Sequence, residues 1–163
     1  MIFEDEQKTQ PITKLQVMDA FKRIKANGGS AGVDNISIEQ VNSNKRKYLY
    51  PLWNRMASGS YFPKAVRQTI IPKSNGGKRA LGIPTVVDRV AQQVIATELE
   101  CIVDKTFSDN SFGYRPNKSA HEAVEQCRIN CMKYSWVIDI DIKGFFDNID
   151  HELLMKSVQW HTD

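Results

Sequence analysis

Within Ser135–Asp150, two carboxylates, Asp139 and Asp141, interrupt an apolar, β-branched run, Trp-Val-Ile-Asp-Ile-Asp-Ile, that continues into Lys-Gly-Phe-Phe-Asp-Asn-Ile-Asp. Alternation along a strand puts Val137, Asp139 and Asp141 on one face and Trp136, Ile138, Ile140 and Ile142 on the other. The apolar face calls for burial and the backbone groups call for neighbours, so a chain with this segment needs a sheet around it. Acids suit a β-branched strand poorly, and packing does not account for them there. Carboxylates at a strand end are suitable ligands for Mg²⁺ beside a triphosphate, because hard cations take oxygens from one or two carboxylates plus phosphates. Taken alone, Asp-x-Asp reads equally well as a half-exposed strand whose acids face water.

At 163 residues the chain suffices for one well-buried core or two small lobes, and 41% hydrophobic with 25% charged residues excludes a disordered chain. No apolar run reaches membrane-spanning length, and the opening Met-Ile-Phe-Glu-Asp-Glu lacks the basic-then-apolar pattern of a signal peptide. A cytoplasmic protein with no membrane partner is expected. Cys101, Cys127 and Cys131 include no CxxC pair; two of them lie one helical turn apart on an apolar stripe and read as core thiols. His121, His151 and His161 lack metal-ligand spacing.

The net charge of +3 acquires meaning once located. Between residues 64 and 89, Lys64, Arg67, Lys73, Lys78, Arg79 and Arg89 face only Asp88, a balance of +5 that leaves −2 for the rest of the chain. From 139 to 152 the sign reverses, with Asp139, Asp141, Asp147, Asp150 and Glu152 against Lys143. A basic lobe followed by an acidic strand end suits a protein that grips polyanions and also holds metal ions, although two differently solvated faces would show the same blocks.

Along the chain, Thr13 with Gln16 opens a helix that carries Val17, Ala20, Phe21 and Ile24 at helical spacing and ends at Asn27-Gly28-Gly29. The Gly-rich segment that follows is too irregular for a phosphate loop. A second helix starts at Ser37, passes Lys45-Arg46-Lys47, and resumes an apolar stripe at Leu52, Trp53 and Met56 after Pro51. Residues 66–83 predict a β-hairpin whose connection, Pro72-Lys-Ser-Asn-Gly-Gly-Lys78, has turn composition and carries cations at its tip and on its return strand. Thr85 and Asp88 cap a long amphipathic helix over 85–104, and Ser119 with Glu122 opens another over 119–132 that turns Cys127 and Cys131 inward. After the Asp-bearing strand, Asp150 caps a last helix with Leu153, Leu154 and Val158. One central strand without a partner of similar character is an unfinished sheet, the front portion of a longer fold.

Five blocks now stand in order: Gly32-Val-Asp-Asn-Ile-Ser37; Ile71-Pro-Lys-Ser-Asn-Gly-Gly-Lys-Arg-Ala-Leu-Gly-Ile-Pro84; Asp88-Arg-Val-Ala-Gln92; Ser111-Phe-Gly-Tyr-Arg-Pro-Asn-Lys-Ser-Ala-His121; and Asp141-Ile-Lys-Gly-Phe-Phe-Asp-Asn-Ile-Asp-His151. Together they resemble the early blocks of group II intron-encoded reverse transcriptases, over most of residues 13 to 158. The resemblance implies an α+β fold, the fingers subdomain and the beginning of the palm of a right-hand polymerase, with helices, a β-hairpin and a short antiparallel sheet. Residues 1–134 would be fingers and 135–163 the first palm strand with its following helix.

By the same resemblance, Asp141 is the first catalytic aspartate and the backbone carbonyl of Ile142 a further contact for two Mg²⁺ ions, with Asp139 a neighbour and not a ligand. Phe146 matches the aromatic steric gate that selects deoxynucleotides, whereas the residues alone favour core packing for both Phe145 and Phe146. Lys73 and Arg79 match the cations that close on the incoming triphosphate; without the resemblance either is an ordinary solvated hairpin cation. Arg115 matches a basic position near template and nucleotide, and it equally suits pairing with an acid to fix a loop. Lys45, Arg46, Lys47 and Lys78 would hold RNA through phosphates, which gives affinity without sequence information. The partners implied are an RNA template such as intron RNA, a DNA primer and dNTPs, and a homodimer is compatible with the family.

Two departures are visible. Ala80 stands where the family usually has proline, and the Tyr-Ala-Asp-Asp block that supplies the remaining carboxylates is absent. One strand carboxylate cannot hold two Mg²⁺ ions, so these 163 residues are expected not to polymerise alone. Competing readings are a non-catalytic, maturase-like RNA-binding module and a nucleotide cyclase with an early-strand aspartate; the Lys73/Arg79 hairpin and the position of Phe146 count against the latter.

Overall fold

Five of the helix starts are written locally, as side-chain caps that satisfy amides with no partner inside the helix. The computed structural model describes residues 11–72 and 76–162. Its order is α1 Lys14–Asn27, α2 Ile38–Ser43, α3 Lys45–Ala57, β1 Arg67–Pro72, β2 Lys78–Ile83, α4 Val86–Val103, a single 3₁₀ turn Asp104–Thr106, α5 Ala120–Lys133 and α6 His151–Thr162. Reciprocal capping boxes close the starts of α1 (Thr13 with Gln16), α2 (Ser37 with Gln40) and α5 (Ser119 with Glu122). At α6, Asp150 accepts from the amides of Glu152 and Leu153 at 2.9 and 3.1 Å.

The expected second helix is two helices. Asn44, at φ −129° and ψ 45°, breaks the run after Ser43, and α3 then continues through Pro51 on an exposed side. The hairpin forms as expected, antiparallel, with Arg67 opposite Ile83, Ile70 opposite Ala80, Ile71 opposite Arg79 and Pro72 opposite Lys78. Ala80 sits inside this ladder without interrupting it.

The chain divides into two compact units, Met1–Ala96 and Thr97–Asp163, with the division inside α4. Every buried hydrophobic side chain among the described residues belongs to the first unit. Val17, Phe21 and Ile24 from α1, Val41 from α2, Leu49, Leu52 and Met56 from α3, and Val90 and Val94 from α4 form one cluster. Each such side chain contributes about 1.5–3 kcal/mol relative to exposure. The same unit contains a buried polar knot. Asp88 accepts from the Tyr61 hydroxyl, from the Thr85 hydroxyl at 2.6 Å and from the Lys64 amide at 3.4 Å, while its own amide donates to Thr85 Oγ1 at 3.1 Å. Burial, reinforced by the neighbouring carboxylate, pushes the Tyr61 phenol well above its ordinary range. Gly32 lies against this helix start so closely that a Cβ there would stand 2.6 Å from the backbone of Thr85.

Two expectations for the second unit are corrected. The run 135–142 joins no ladder: among the described residues the sheet consists of β1 and β2 alone. A strand exists only through bonds to a neighbour, and this run has none among the described residues. Cys127 and Cys131 do not face inward; all three cysteines are free and exposed. Leu153 and Leu154 are exposed as well, and no described residue beyond Val94 is buried, so this unit's apolar stripes cover no core.

Candidate functional site

Cations of the first unit stand on two exposed features. On the hairpin, Arg79 and Lys78 lie opposite Ile71 and Pro72 on the return strand, both open to solvent. Lys73 lies outside the described residues. On α3, Lys45, Arg46 and Lys47 fill the first helical turn, which holds no acid, and the Asn44 side chain makes no cap. Positive side chains at the positive end of a helix are unfavourable by themselves and favourable next to an anion. These three residues are all exposed.

In the same unit the Gly-rich connection is clamped. Arg89 donates from its two terminal nitrogens to the carbonyls of Gly28 and Ser30, at 3.2 and 2.7 Å, and its buried Nε is without a hydrogen-bond partner. Lys64 Nζ pairs with Asp34 at 3.5 Å, so the acid in the Gly32–Ser37 block is met by a cation.

In the second unit, Asp139 and Asp141 are both exposed. The chain then turns at 143–148: Asn148 donates through Nδ2 to the Gly144 carbonyl at 2.7 Å, and Gly144 adopts φ +63°. This turn carries the two phenylalanines, with ring centroids 5.5 Å apart, edge to face. Neither packs in a core: Phe146 is 84% exposed and Phe145 48%. Among the described residues no group of three or more His, Cys, Asp or Glu side chains is placed to hold a metal ion. Asp141 and the Ile142 carbonyl are hard oxygen donors of the kind Mg²⁺ takes.

Arg115 is fully engaged within its own loop. Its Nε donates to Asp104 Oδ1 at 2.6 Å, one terminal nitrogen to the carbonyls of Ser108 and Ser111 at 2.7 and 3.0 Å, and the other to the Asp104 carbonyl at 3.1 Å. Its side chain is only 8% exposed. Of its two sequence readings, pairing with an acid to fix a loop is the arrangement seen. The hydrogen bond from Arg115 holds the Asp104 carboxyl below its ordinary range. A depressed carboxylate contributes stability above its unfolded pKa, near 4 for aspartate, and loses that contribution as pH falls through its lower folded value. Arg115→Lys, which keeps the charge but removes the fork, is expected to speed amide exchange across residues 104–118 at neutral pH. Exchange unchanged from the parent would show that the fork holds nothing. Nothing in the sequence pairs Asp104 with Arg115, eleven positions apart across an irregular loop.

No described helix is long and apolar enough to cross a membrane. Exposed cations on a helix start and a hairpin, and an exposed carboxylate-bearing run, thus occur in one chain. The family model described as reverse transcriptase (RNA-dependent DNA polymerase) matches residues 71–162, from the hairpin through the Asp141 turn to α6. The chain belongs to this family. Its relatives include Group II intron-encoded protein LtrA of Lactococcus lactis subsp. cremoris, 34% identical over 137 residues (83% of this chain and 23% of that protein). Protein YkfC of Escherichia coli is 35% identical over 133 residues (78% and 35%). The putative COX1/OXI3 intron 1 protein of Saccharomyces cerevisiae is 32% identical over 143 residues (88% and 17%). The chain thus spans about a third or less of the length of each of these relatives.

Proposed function

We propose that this chain is the fingers and the start of the palm of an RNA-directed DNA polymerase encoded by a group II intron or a related retroelement, with fingers over 1–134 and palm from 135. The observation that carries the proposal is that one family match covers both the hairpin that presents Arg79 and the exposed run that presents Asp141. On this reading Lys73 and Arg79 neutralise the triphosphate of an incoming dNTP, and Arg79 offers a planar fork for phosphate oxygens. Phe146, exposed on its turn, acts on this reading as the gate that excludes a ribose hydroxyl. Lys45, Arg46, Lys47 and Lys78 hold the template RNA through its phosphates. Asp141 and the Ile142 carbonyl would hold Mg²⁺, with the remaining oxygens coming from phosphates and from other parts of the polymerase. Bound there, Mg²⁺ supplies activation of the primer's terminal hydroxyl and charge neutralisation at the leaving pyrophosphate. Arg115 acts at one remove, by shaping the 104–118 loop.

The full-length gene product, given an RNA template, an annealed DNA primer, dNTPs and Mg²⁺, is expected to extend the primer and to stop on chelation. The 163-residue chain alone is expected to extend nothing. RNA binding by the full-length protein without extension would instead establish the second reading, a non-catalytic RNA-binding module. That reading draws on the placement of the basic helix start within the well-packed unit.

A further inference from the structure

Between α1 and α3 lies a cavity of about 200 Å³ whose walls include Lys14, Lys45, Arg46, Leu49, Tyr50 and Trp53. Its floor is apolar, and its charged walls are all positive: among the described residues no carboxylate lines it. The aromatic wall is built in place. Trp53 donates its indole N–H to the Ile12 carbonyl at 2.9 Å, which fixes that ring, and Tyr50 stands 5.5 Å from it, tilted by 53°. Lys14 Nζ lies 4.4 Å from the Trp53 ring centroid and 5.3 Å from that of Tyr50, so both rings already accept a cation. Tyr50 nevertheless remains 52% exposed.

Size and charge select the occupant. Drug-sized and nucleotide-sized ligands take pockets of about 300–1,000 Å³, so this one admits a single planar ring. A second copy of the chain would bring like charge against like. An acidic peptide would answer the cations but leave the exposed ring face unused. We infer that the groove seats one unpaired nucleobase of a single RNA strand, stacked on Tyr50, with Lys45 and Arg46 on the flanking phosphates. Stacking on an aromatic ring beside a basic track is how single strands are held without sequence readout. The inference rests on the RNA-binding reading above and gives it a base-contacting site.

The test uses the 163-residue chain, a short single-stranded oligoadenylate carrying one fluorescent purine analogue, and the same strand with that position abasic. Fluorescence is expected to be quenched on binding, and the abasic strand to bind about tenfold more weakly, within the range for loss of one stacked base. Tyr50→Ala is expected to bring the base-bearing strand down to the abasic level while leaving the abasic strand's affinity and the melting of the protein unchanged; Tyr50→Phe restores binding. Salt-sensitive binding that is indifferent to the base and to Tyr50 would overturn the nucleobase site while leaving phosphate binding by the chain intact. No salt-dependent RNA binding at all would sink both. Equal, Tyr50-dependent competition by polyglutamate would overturn the site in favour of an acidic protein partner.

Discussion

On the proposed polymerase reading, Asp141→Asn is expected to lower primer extension by the full-length gene product about a hundred- to a thousandfold, the scale on which a preorganised charge contact at a transition state is lost. The substitution keeps the shape of the side chain and removes one hard anionic oxygen donor, the property Mg²⁺ selects for. Asp139→Asn is the internal control. Both acids lie on the same exposed run, so neither change removes a packing contact, and only the metal assignment separates them. RNA affinity is expected to hold in both variants, because loss of a negative charge weakens no phosphate contact. Measured extension near the parent level for Asp141→Asn, or an equal loss for Asp139→Asn, would show that the wrong acid had been assigned.

Phe21→Ala is expected to destabilise the first unit by about 3–5 kcal/mol. Phe21 is 1% exposed and shares one cluster with side chains of α2, α3 and α4. Domains have only about 5–15 kcal/mol of stability in total, so the loss is a large share. The matching change in the second unit, Leu154→Ala, removes a side chain already in contact with water and is expected to leave stability within about 0.5 kcal/mol. Denaturant titration followed by circular dichroism gives both values. A shift for Phe21→Ala no larger than that for Leu154→Ala would mean that the core is not where the structure puts it.

The contrast between the two units explains what could be read from the residues. Thr13, Ser37, Thr85, Ser119 and Asp150 mark helix starts because each cap reaches an amide two or three positions ahead, a contact that no distant part of the chain has to supply. The hairpin is equally local: its two antiparallel strands, Arg67–Pro72 and Lys78–Ile83, are near neighbours in the chain. The α1 stripe of Val17, Ala20, Phe21 and Ile24 is buried as its spacing implies, because α3 and α4 supply the facing side chains.

Where the reading of periodicity failed, the partner was missing. Among the described residues, the Cys127 and Cys131 stripe has helical spacing but meets no packed layer, and the 135–142 run has strand composition but no strand partner. Pattern states which face would be buried; only a second surface buries it. The resemblance named Asp141, Arg79 and Phe146 by position, while their exposure is a property of the folded chain.

Sequence alone therefore determined the caps, the hairpin, the apolar stripe of the first helix and the family to which the chain belongs, because each depends on neighbours in the chain or on ordered motifs. The tertiary structure decided that Asp88 gathers Tyr61, Thr85 and the Lys64 amide, that Gly32 must lack a side chain beside Thr85, that Arg115 is spent on Asp104, and that Lys14, Tyr50 and Trp53 border one cationic groove. Apart from the one-turn bond from Thr85 and the Tyr50–Trp53 pair on α3, these contacts join residues eleven or more positions apart, and their energy appears only once packing has excluded water and fixed which groups must satisfy one another.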